Sequence, residues 1–159
     1  MLAAARERKK PFDTDFPYPE RYTGVYLERR REVGYGLYKA VGVARDDHAA
    51  RERQRLENFR FFGAPHVALI TVPAEQGVYG ALDAGGFVTA FMLAAQTHGV
   101  ASIAQAALAQ HSTMIRTRFR VAKDRKFVCG VSFGYADLAH PANAFRARRE
   151  PPENIFRFA

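Results

Sequence analysis

The chain is poor in cysteine, poor in acid and without a long unbroken apolar run, and each shortage excludes something. A single cysteine, Cys129, among 159 residues leaves no internal disulfide possible, which suits a reducing cytoplasm. His48, His66, His98, His111 and His140 show no metal-ligand spacing, and with one thiol a zinc site is not expected. Cys129 has no histidine near it in sequence, so it reads as a small core residue and not as a nucleophile. No apolar run reaches the roughly 18 residues of a membrane span. In the opening MLAAARERKKPF the charges follow the apolar residues, the reverse of a secretory signal. The stretch GVYGALDAGG is glycine-rich but lacks the Gly-Lys-Ser/Thr ending of a phosphate loop. No internal repeat is visible.

What is present is an ordinary globular composition, 48% hydrophobic, in a length that fits one domain. Basic residues outnumber acidic ones by 24 to 16, giving a formal net charge of +8. Such a surplus attracts anions. The arginines come in small groups: Arg29 to Arg31, Arg51 to Arg55, Arg116 to Arg120 and Arg146 to Arg149. Dispersed in this way they make a solvated basic surface, and no spacing suited to reading a nucleic-acid groove appears, so a nucleic-acid role ranks last.

Residues 1–24 are polar and proline-containing and predict an exposed arm or extended lead-in. Val25, Val33, Leu37 and Val41 recur near helical spacing and predict a helix over 25–41 stopped by Gly42. Asp46 or Asp47 is placed to cap a helix running to about Leu56. The run HVALITV, 66–72, predicts a buried strand. The stretch AEQGVYGAL reads as a loop, with Asp83 capping a helix from Ala84 to His98 and Gly99 ending it. That helix is apolar on every face and so must be covered on every face. A chain this small has difficulty enclosing it, which predicts a two-fold dimer interface; a core helix within one chain is the competing reading. A short segment from Val100 leads to a helix over about 106–120, and KFVCGVSFGY, 126–135, predicts a strand. The proline-rich end, 141–159, predicts an extended tail after a core spanning 25–140.

Four segments in order carry a family likeness: GVARDDHAARERQRLENFRFFGAP at 42–65, DAGGFVTAFMLAAQTHGV at 83–100, VCGVSFGYAD at 128–137 and PANAFRARREPP at 141–152. Together they resemble the FMN-dependent nitroreductase family over nearly everything from Tyr22 onward. The resemblance implies an α+β fold with a mixed or antiparallel sheet flanked by helices. It implies a homodimer holding FMN at its interface, and electron transfer from NADH or NADPH to nitro- or quinone-like acceptors. It also implies sites. Arg146 and Arg149 match the arginines of the family's C-terminal segment, which implies a hold on the FMN phosphate; Arg148 has no counterpart. Ile103, Ala104, Gln105 and Ala106 match the loop beside the flavin ring, with Gln105 expected nearest the ring edge and Ala104 standing where the family often has proline.

The family's opening Arg-x-Ser-x-Arg motif, and the Ser-x-x-Asn-x-Gln-Pro-Trp segment after it, do not occur. This predicts a nitroreductase-like chain truncated at its N-terminus. The leading reading is therefore a cytoplasmic, NAD(P)H-dependent flavin oxidoreductase with no side chain required as catalytic acid or base, and no membrane or metal. The rival is a non-enzymatic, truncated dimer that binds flavin weakly or not at all and serves as a scaffold for a ligand or protein.

Overall fold

The computed structural model describes residues 1–7 and 12–157. Two compact units emerge, one made of 1–19 and 52–136, the other of 20–51 and 137–159.

The first unit holds a three-stranded antiparallel sheet of order β1-β3-β2, with β1 at His66–Pro73, β2 at Ala101–Gln105 and β3 at Arg125–Gly134. Central β3 carries Phe127 and Val131, both fully buried. The β1–β3 register shifts between Ile70 and Thr71. Around Phe127 pack Ala5, Phe59, Leu108, Ala109 and Ile115, so this unit encloses a true apolar core. Helix α1, Leu2–Arg6, supplies Ala5 to it. The lead-in after it is tied down at Asp15, whose carboxylate accepts from the Phe127 N–H (2.7 Å) and from Arg116 (2.9 Å). Asp13 caps the start of a later helix by accepting from the Thr113 N–H at 2.8 Å.

Just before β1 the chain makes a left-handed turn, with φ of 59° at Phe61, 52° at Phe62 and 78° at Gly63. Left-handed backbone costs a residue with a Cβ about 1–2 kcal/mol. Phe59 at the start of this segment is buried, Phe61 half-buried and Phe62 exposed.

The long apolar helix runs Gly77–Thr97 and not from Ala84, because the glycine-rich stretch expected to loop is helical. Asp83 therefore lies inside the helix and caps nothing. Gly80 is there for close approach: a Cβ would lie 3.2 Å from the Val72 side chain and 2.9 Å from that of Gln76. Following α1, α2 (Gly24–Ala40) and α3 (His48–Leu56), this is α4. It buries only Gly80, Ala84 and Val88, leaving Val78, Tyr79, Leu82, Phe87 and Leu93 mostly exposed. By length and composition alone Ala74–Thr97 is apolar enough for a membrane span, although small and polar residues interrupt it and it contains no unbroken apolar run of that length. The expected single helix over 106–120 is a 3-10 turn, Ala106–Gln110, and then α5, Ser112–Phe119. Between them His111 leaves helical geometry, with φ −133°.

The second unit is different in construction. Its α2 is followed by Gly42 at φ 70°, the expected stop. The Asp47 carboxylate accepts from the Ala50 N–H (2.8 Å), which is the expected cap at the head of α3. The tail bears two 3-10 turns, Pro141–Asn143 and Pro152–Asn154, in otherwise extended chain. It is fastened to α2 by Phe145, which lies over Gly36 where a Cβ would come within 2.6 Å of the ring, and by the Arg29–Glu150 ion pair at 2.6 Å.

Candidate functional site

The first candidate segment is the end of β2 and the turn after it. Among the described residues β2 pairs only with β3, so its far edge is a sheet edge within this unit. Ile103 (43% exposed), Ala104 and Ala106 face outward, whereas Gln105 is buried. The Gln105 amide is used internally: Nε2 donates to the Asn58 carbonyl at 2.8 Å, and Oε1 accepts from the Ser132 hydroxyl. Its side chain thus turns into the unit. A buried amide without partners is costly, so this network holds the 3-10 segment of Asn58 to β2 and β3. The Ala106 carbonyl in turn accepts from the Tyr18 hydroxyl. What the segment offers outward is backbone and small or aliphatic side chains.

The second candidate pair lies in the other unit. Arg146 is exposed and donates through Nη1 to the carbonyls of Asn143 (2.6 Å) and Phe145 (2.9 Å), which fixes its stem while leaving Nη2 and Nε as donors. The segment before it is ordered by Asn143 donating to the Asp137 carbonyl at 2.7 Å. Arg149 is exposed and forms no ion pair among the described residues. Arg148, between them, is drawn to Glu32 at 3.5 Å. Arg148 thus differs from its neighbours in having a carboxylate partner, and Ile103–Ala106 and the Arg146, Arg149 pair lie in different units. An exposed guanidinium fork without a carboxylate partner is the donor chemistry that a phosphate group takes.

Other groups are structural. Cys129 is half-buried in β3 and burial pushes its thiol up, the opposite of an activated nucleophile. His111 is held below its ordinary value by burial, then by the neighbouring Arg55 guanidinium, and lies edge-on to Phe59. No cluster of metal-ligating side chains occurs among the described residues. Sequence reasoning missed an open groove of about 480 Å³ between α4 and β1, lined by Ile70, Thr71, Gly80, Ala84, Phe87 and Arg125 among others. It depends on α4 beginning early, which the glycines concealed.

With this geometry in hand, the likeness to known proteins is direct. The sequence profile of the nitroreductase family matches residues 19–135. Nitroreductase NfnB of Mycolicibacterium smegmatis is 39% identical over 160 aligned positions, covering all of this chain and 67% of that protein. A 4-nitrobenzoate reductase of a Nocardioides strain is 32% identical, covering 89% of this chain and 58% of that protein. The chain thus spans 58–67% of the length of these two relatives. The crystal structure of the FMN-dependent nitroreductase NfnB from Mycobacterium smegmatis in complex with NADPH superposes with a TM-score of 0.91 at 37% identity. That superposition covers 99% of this chain and 70% of the other.

Proposed function

This chain belongs to the nitroreductase family, and from that premise we propose that it is an FMN-dependent oxidoreductase passing electrons from NADPH or NADH to a nitro- or quinone-like acceptor. One observation carries the reading: nearly the whole chain superposes, at 37% identity, on an FMN-dependent relative that holds NADPH. The α+β architecture with its antiparallel sheet, and the run of small outward residues at the edge of β2, are compatible with it.

The residues present fit the cofactor in their chemistry. Arg146 and Arg149 would hold the FMN phosphate through unpaired guanidinium donors. The backbone of Ile103, Ala104, Gln105 and Ala106 would border the ring, with Gln105 serving as the internal anchor of that segment. When bound, FMN supplies the electron-accepting and electron-donating chemistry that no side chain here has. The chain's own task is to bind, to orient and to keep water from the ring. None of these residues has to move a proton.

The exposed apolar face of α4, bearing Tyr79, Leu82, Phe87 and Leu93, supports a homodimer in which a second copy covers it. The single cysteine supports a cytoplasmic setting.

Two measurements test the proposal. With FMN supplied, the chain should oxidise NADPH when a nitroaromatic acceptor is added; no oxidation under these conditions rejects the activity. Flavin fluorescence quenching should show FMN binding more tightly than riboflavin, with the gap closing in the Arg146→Ala, Arg149→Ala double variant and shrinking in added salt. Equal binding of the two flavins by the wild type would make both arginines ordinary surface charges.

A further inference from the structure

The second unit carries a cleft of about 230 Å³ lined by Leu27, Arg30, Arg31, Gly34, Tyr35, Tyr38 and Arg51. Three of its seven lining residues are arginines and none is acidic. The nearest acids on the same helix are otherwise placed: Glu32 pairs with Arg148 at 3.5 Å, and Glu28 does not line the cleft. None of the three arginines forms an ion pair among the described residues. Like charges gathered with no acid in the lining repel one another, which favours an anion there.

The way the arginines are held sharpens this. The Arg51 guanidinium carbon lies over the Tyr38 ring, 5.4 Å from its centroid, and that of Arg30 over Tyr22 at 5.1 Å. A cation–π contact of this kind holds a guanidinium near the ring without consuming its hydrogen-bond donors. Arg51 uses one of them on the Arg45 carbonyl at 3.3 Å, and the remainder are available. Gly34 opens the space between Arg30, Arg31 and Tyr38 along α2, with nothing within 4 Å of a built Cβ. At about 230 Å³ the cleft lies below the roughly 300–1,000 Å³ of sites that take a whole drug-sized ligand. It therefore suits one end of a longer molecule, and a doubly charged phosphate monoester beside a flat ring suits its arginines and tyrosines best.

Resting on the proposed use of a nicotinamide donor, we propose that this cleft binds the adenosine 2′-phosphate end of NADPH and selects it over NADH. NADH differs from NADPH there only in lacking that phosphate, which carries close to two negative charges at neutral pH. Arg30 and Arg51 grip the phosphate oxygens, Arg31 adds charge, and Tyr35 and Tyr38 border the sugar and base. This assigns to the second unit the choice of electron donor.

The test separates this subsite from the reaction itself. Isothermal titration of the full chain with adenosine 2′,5′-bisphosphate and with adenosine 5′-monophosphate should show the first bound about tenfold tighter or more, the worth of one charge-assisted contact. The Arg30→Gln, Arg51→Gln double variant should bring the two affinities within about threefold. Arg53→Gln, an exposed arginine outside the cleft, should leave the ratio unchanged. A wild-type ratio near one, or a ratio that survives the double variant, overturns the assignment. Selective binding by a chain that fails to reduce nitroaromatics with FMN supplied would reject the activity and keep the subsite. Reduction that uses NADPH and NADH equally well before and after the double substitution would do the reverse.

Discussion

The two units of this chain are built on opposite principles. Every buried apolar side chain among the described residues belongs to the first unit, from Ala5 through Val131. In the second, neither α2 nor the part of α3 it contains buries any residue. That unit is held by surface devices instead: Arg45 over Tyr35 at 4.9 Å, Arg51 over Tyr38, Phe145 over Gly36, and the Arg29–Glu150 pair. Apolar burial contributes about 25 cal/mol per Å², whereas an exposed stacked cation contributes about 0.5–1 kcal/mol. A scaffold of the first kind resists local opening, and one of the second kind opens at low cost. The first unit is thus the more rigid scaffold, and the second carries exposed cations on a surface that opens more readily.

Three experiments can break or sharpen that contrast, taken from the largest effect to the smallest. The first acts on the outward apolar face of α4. Leu82→Arg and Leu93→Arg should each convert the proposed dimer to a monomer, since an unpaired charge under a covered interface costs roughly 3–5 kcal/mol. Light scattering at micromolar concentration reads the result, and a wild type already monomeric there would reject the interface.

The second compares one anchor in each unit. Asp15→Ala leaves the Phe127 N–H without its acceptor and Arg116 without its partner, and should cost about 1–3 kcal/mol. Arg45→Ala removes only a stacked cation and should cost about 0.5–1 kcal/mol. Native-state hydrogen exchange should show the first loss in the amides of β3 and the second confined to α2. An Arg45→Ala effect as large as that of Asp15→Ala would erase the distinction between the units.

The third is a pH effect specific to the first unit. His111 is half-buried and its folded pKa lies below the ordinary 6.5. The unfolded chain therefore binds a proton at this site at a higher pH than the folded chain does. Stability is full above about pH 6.5 and declines as pH falls from there toward the lower folded value. His111→Gln should flatten this decline in denaturant midpoints between pH 7 and 5.5, and an identical slope in the variant would assign it to other groups.

Much of the framework was legible in sequence because local chemistry and final structure agree there. Asp47 caps α3, Gly42 and Gly99 take the left-handed conformation after their helices, and β1 and β3 lie where the β-branched and aromatic runs stand. The misreadings have physical reasons. Glycine signals a turn by default, yet Gly80 serves close packing of α4 on Val72, so two turns of that helix read as loop. A phenylalanine pair is an improbable left-handed turn, and nothing local marks Phe61 and Phe62 as one. Asp13 and Asp15 act on residues about a hundred positions away, which no local pattern records. Among the candidate site residues, the inward turn of Gln105 was not readable, because it depends on Asn58 and Ser132, from two other elements.

That inward turn has a consequence for binding entropy. By joining Asn58, β2 and Ser132, the Gln105 amide removes conformational freedom from the edge of β2 when the chain folds. Freezing one residue's backbone costs about 1–2 kcal/mol. A ligand that takes hydrogen bonds from residues 103–106 meets groups already immobilised, so that loss does not recur on association and more of each contact appears as affinity.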